Sequence, residues 1–96
     1  MSPIKQKKLN KLRNQLDKLD NSFIKLLQKR TQLVKKVLEL KDRKNQIVDK
    51  KRIKFILSQI RKKSLKNKID PKITNRIWKN MIWSYIDFEK RKFRKK

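Results

Sequence analysis

Leu9-x-x-Leu12-x-x-x-Leu16-x-x-Leu19-x-x-x-Phe23-x-x-Leu26-x-x-x-Arg30-x-x-Leu33-x-x-x-Val37-x-x-Leu40 steps by three and four residues without a break. That alternation is the seam of one long helix packed against other helices. Neither Pro nor Gly falls between Ile4 and Asp42, so the spacing predicts a helix over about 5–42. Some 36 residues rising 1.5 Å each extend about 54 Å, whereas a compact chain of 96 residues has a radius of gyration of about 13 Å. The seam is too long to be covered by a core of its own chain. A second copy is the simplest cover, so the sequence predicts an all-α chain that dimerises.

Downstream, Asp42-Arg43-Lys44-Asn45-Gln46 is a polar break. Asp49 is placed as an N-cap for a second helix over about 49–66, with apolar Ile53, Ile56, Leu57 and Ile60. Asp70-Pro71 starts a third helix over about 71–90, a capping acid followed by Pro at the first helical position. Its broad apolar face carries Ile73, Ile77, Trp78, Met81, Ile82, Tyr85, Ile86 and Phe88. Trp78 and Trp83 read as core or interface aromatics. A basic tail, 90–96, is expected to fray. The expectation is one domain over 1–96, built from three helices of which one is very long.

Composition removes several kinds of chemistry. The chain has no Cys and no His, which excludes disulfides, thiolate or imidazole metal sites, and Ser-His or Cys-His nucleophiles. With no Gly it cannot form the glycine-rich phosphate loops of nucleotide-binding folds. No apolar run approaches the ~18 residues that cross a bilayer, and the first residues contain no apolar export core. The expected compartment is the cytoplasm, with no membrane partner. The 32 Lys+Arg against 8 Asp+Glu give a net charge of +24. This would suit nucleic acid or an anionic surface. Lys (24), Ile (11) and Asn (7) are all inflated while Ala is absent, as an AT-biased genome would produce in any protein. The cations are also spread along all three helices, which disfavours a nucleic-acid interface.

Arg30 and Lys41 stand out within that excess. Arg30 occupies a seam position, where a polar residue sets register or extends its head to solvent. Lys41 taken alone is one lysine among many. Eleven residues separate them, three turns plus about 20°, so on a continuous helix both point from one face about 16 Å apart. Two long cations with that spacing could bracket a small dianion. Arg13 lies about 25 Å before Arg30 and about 100° round the helix, so it would reach the same ligand only from an antiparallel partner chain.

In order and near its spacings, the set Leu12-Arg13, Leu16-Asp17-x-Leu19-Asp20, Leu26-Leu27, Arg30, Lys41 and Asp49-x-x-Arg52 resembles the all-helical chorismate mutase family. The Asp70-Pro71 start and the apolar third helix extend the resemblance over about residues 9–90. It implies an intertwined homodimer with two equivalent sites, chorismate as substrate and no cofactor or metal. By the same resemblance, Arg13 of the partner chain and Arg30 would each grip a substrate carboxylate. Lys41 would contact a carboxylate and the ether oxygen. Asp49 would meet the ring-hydroxyl region, and Arg52 would add positive charge. A small hydroxyl falls on Ser84 or Tyr85. The position facing the ether oxygen, usually Gln, falls on Glu89, and Val37, Ile82 and Ile86 would form apolar walls. Read from the residues alone, Asp49 is equally a plain helix cap.

The implied reaction, the pericyclic rearrangement of chorismate to prephenate, needs no nucleophile, base or cofactor. It needs a compact substrate conformer and positive charge where the ether bond breaks. That would make the chain an isomerase, with Lys41, Arg30 and Glu89 as the catalytic groups. Glu89 could donate to the ether oxygen only when protonated, so activity is expected to rise toward acidic pH. Ile53 stands where the family usually has Glu, which leaves elimination of pyruvate from isochorismate as an alternative on the same fold. A basic helical dimer that binds nucleic acid is the alternative from another class, and steeply salt-dependent binding would reveal it.

Overall fold

The computed structural model describes residues 1–94. It contains three α-helices, α1 (Pro3–Glu39), α2 (Lys50–Lys66) and α3 (Pro71–Lys92), and one 3-10 turn, Lys44–Gln46; there is no strand among the described residues. The chain forms two compact units, Met1–Leu33 and Val34–Lys96. Residues 95–96 of the expected basic tail lie outside the described residues. Its Lys90, Arg91 and Lys92 form the last turn of α3 instead of lying beyond the helix.

The first unit is helix alone. α1 starts earlier than the expected residue 5 because Ser2 caps it. The Ser2 Oγ accepts from Lys5 N at 3.2 Å, and Pro3 fills the first position, where a missing N–H costs nothing. No α1 residue is buried. In this unit the seam residues Leu12, Leu16, Leu19, Phe23, Leu26 and Leu33 are each 58–61% exposed.

The second unit has a core in which Ile47, Ile82 and Ile86 are buried, with Leu38, Val48, Ile53, Ile56, Leu57 and Phe93 packed around them. α2 and α3 form its antiparallel hairpin. Ser64 of α2 is buried, and its Oγ lies 2.6 Å from both Ile60 O and Thr74 Oγ1 of α3. With the Ser64 proton on Ile60 O, Thr74 donates the bond that joins the two helices. The hairpin turns without glycine. Lys68 takes the left-handed conformation at φ 57, Ile69 N donates to Ser64 O at 2.9 Å and Lys68 N to Leu65 O at 3.2 Å. This is a Schellman motif with lysine where glycine usually sits.

α1 ends at Glu39, three residues before the expected end. Leu40 N and Lys41 N donate to Val37 O and Leu38 O, each at 3.1 Å, a tightened last turn that takes Lys41 off the helix. The projection that set Arg30 and Lys41 on one face of one continuous helix is therefore corrected.

Candidate active site

Lys41, in the segment between α1 and α2, pairs with Glu89 of α3 and shares a groove with Asp49. Beyond Lys41 the backbone is held by Gln46, whose Oε1 accepts from Asp42 N and Arg43 N at 2.8 Å each. Ile47 then plugs the core between Ile82 and Ile86. This anchored loop aims Lys41 at α3, where Ile82, Ile86 and Glu89 recur at i, i+4 and i+7 as its buried stripe. The Lys41 Nζ donates to Glu89 Oε1 at 3.2 Å. Their side chains are 19% and 8% exposed, so the pair is largely desolvated, and each charge depends on the other.

At the start of α2, Asp49 adopts an extended conformation and its carboxylate accepts from Arg52 N at 3.0 Å. The plain cap role is therefore present; one oxygen serves the helix, and the other can still accept from a ligand. Lys41 and Asp49 line one open groove of about 630 Å³, together with Gln46, Val48, Lys50 and Lys51. The Arg52 guanidinium lies over the Phe55 ring, 5.4 Å from its centroid, and Arg52 is exposed.

Tyr85 is half-buried and lies on the α3 stripe with Ile82, Ile86 and Glu89, whereas Ser84 is exposed. Ile82 and Ile86 are buried, while Val37 is 50% exposed and its neighbour Leu38 packs against the core. Trp78 is half-buried and Trp83 exposed. Arg13, exposed, and Arg30, half-buried, belong to the first unit. Glu89, expected to donate a hydrogen bond, is here the acceptor of Lys41.

Two contributors were missed by the sequence reading. Gln46 lies in the polar break, although a long amide three or four residues after a backbone N–H can accept from it and close a loop. Ile47 is the apolar residue that ends that break, directly before Val48 and the Asp49 cap. That signal was available.

No helix among the described residues is long and apolar enough to cross a membrane. No curated protein and no solved structure matches the chain. The family model for chorismate mutase type II matches residues 12–90, from the residue before Arg13 to the one after Glu89. The chain belongs to the chorismate mutase type II family.

Proposed function

We propose that this chain is a chorismate mutase acting as a homodimer, an isomerase that converts chorismate to prephenate. The observation that carries this reading is the meeting of Lys41 and Glu89 across 48 positions of sequence at 3.2 Å. By the family resemblance, both would face the breaking ether bond. In the rearrangement the ether C–O bond breaks as a new C–C bond forms, with no proton or electron exchanged with the protein. Negative charge grows on the ether oxygen in the transition state, and the Lys41 ammonium stabilises it there.

Arg30, and Arg13 from the partner chain, hold the two carboxylates and fold the substrate into its reactive conformer. Asp49 accepts from the ring hydroxyl with the oxygen not used by Arg52 N. Tyr85, on the same stripe as Glu89, supplies the hydroxyl that the family places on α3. Ile82 and Ile86 keep water from that side of the ring. In the ion pair, Glu89 offsets the charge of Lys41.

The test is to add purified protein to chorismate and follow the loss of its ultraviolet absorbance. The wild-type chain removes the absorbance with formation of prephenate, and Arg30→Ala does not. Release of pyruvate from isochorismate without prephenate formation, or equal rates for the two chains, would contradict the assignment.

A further inference from the structure

A second groove lies on the α2–α3 hairpin, away from Lys41 and Glu89. It encloses about 470 Å³, within the 300–1,000 Å³ typical of small-molecule sites. Half-buried Leu57, Ile60, Pro71 and Thr74 form its floor; exposed Lys54, Arg61 and Lys72 stand at its rim with Ser58 and Asn75. None of these residues is acidic. Asp70, the nearest acid in sequence, already accepts from Lys72 N at 2.9 Å. Thr74 and Tyr85 are eleven residues apart on α3, about 16 Å along its axis, so the groove and the candidate active site are separate places on the hairpin. Lys54 is likewise two residues from Arg52 on α2, about 200° round the helix.

From this combination we infer a second ligand site for a small amphipathic anion, an apolar body bearing a carboxylate, sulfonate or phosphate. The floor removes apolar surface from water, which gives affinity without direction. The rim gives direction. Arg61 offers a planar fork for a two-oxygen acid group, Lys54 and Lys72 add point charges, and the Ser58 hydroxyl and Asn75 amide can bond a neutral polar substituent. A bare inorganic anion would meet the rim but leave the floor wet, and exposed charge pairs in water are individually weak. The groove therefore selects an anion with an apolar body. This inference does not rest on the mutase reading.

The test uses 8-anilinonaphthalene-1-sulfonate, an aromatic sulfonate whose fluorescence rises on binding, titrated into the full chain at fixed ionic strength. Lys54→Glu with Arg61→Glu is expected to weaken the affinity about tenfold. Lys62→Glu with Lys79→Glu makes the same change in net charge at exposed positions outside the groove, and is expected to shift affinity by less than about twofold. Probe bound to the apolar seam of α1 appears as a component that neither pair of substitutions changes. Inorganic phosphate at matched ionic strength is expected to leave the probe in place. Equal weakening by the two pairs, no weakening by the first, or displacement by phosphate would overturn the site. If circular dichroism shows the charge-reversed chain unfolded, Lys54→Gln with Arg61→Gln carries the same comparison, with about threefold weakening expected.

Discussion

The two units bury their apolar residues in opposite ways. In Val34–Lys96 three isoleucines form an enclosed core. Ile47, Ile82 and Ile86 meet, and the hairpin around them is fastened by a hydroxyl pair and capped at each start. In Met1–Leu33 an equally regular apolar row stands more than half exposed. A row of large apolar side chains left in water is a surface waiting for a partner. Covering each of them gains roughly 1 kcal/mol, enough over six residues to hold two chains together. In the proposed dimer the first unit would be completed by association, whereas the second is closed by its own fold.

That contrast can be broken most severely at the seam. Leu16→Asp with Phe23→Asp places charges in the middle of the exposed row, where a second helix would have to bury them. Loss of the dimer on sedimentation and a fall of turnover to the uncatalysed background are expected, because each site would lose the partner's Arg13. The next largest effect belongs to the hairpin's edge. Lys41→Ala is expected to lower kcat at least ~10²-fold, the cost of removing one preorganised donor from developing charge. It also strands Glu89, so the double variant Lys41→Ala with Glu89→Gln should be equally inactive while melting closer to wild type.

Glu89→Gln alone sharpens the role of the pair. The Glu89 carboxylate accepts from Lys41, whereas a Gln amide can donate to the ether oxygen, so the Gln variant should keep or raise kcat in the chorismate absorbance assay. A smaller loss follows from Ser64→Ala, which removes the hydroxyl between α2 and α3. Chemical denaturation should show destabilisation of about 1–2 kcal/mol. The smallest change is a gain. Lys68→Gly relieves a left-handed lysine and should raise stability by roughly 0.5–1 kcal/mol, with no effect on kcat.

Three helices were legible because each carries a local signal. The unbroken seam marks α1, Asp49 precedes α2, and Asp70-Pro71 precedes α3. The boundaries were less legible where the signal was absent or overridden. The apolar pattern runs on through Leu40, so nothing in it marks the stop after Glu39; that stop depends on i→i−3 bonds and on a loop closed by Gln46. The turn after α2 lacks the glycine that usually announces a helix end, because the chain has none and a lysine takes the strained conformation. At the site, Lys41 and Glu89 could be named from the family pattern, but the contact between them depends on how the ten residues between α1 and α2 fold. Ser84 and Tyr85 differ in helix phase. Only Tyr85 shares the face of Ile82, Ile86 and Glu89.

Solution mass gives the most direct test of the exposed seam. Sedimentation equilibrium at micromolar concentration should return twice 11.9 kDa, with the helical signal of the chain intact. A folded, helical species of 11.9 kDa that still converts chorismate would show that the row from Leu12 to Leu33 needs no second chain, and would contradict the proposal that two copies share each site.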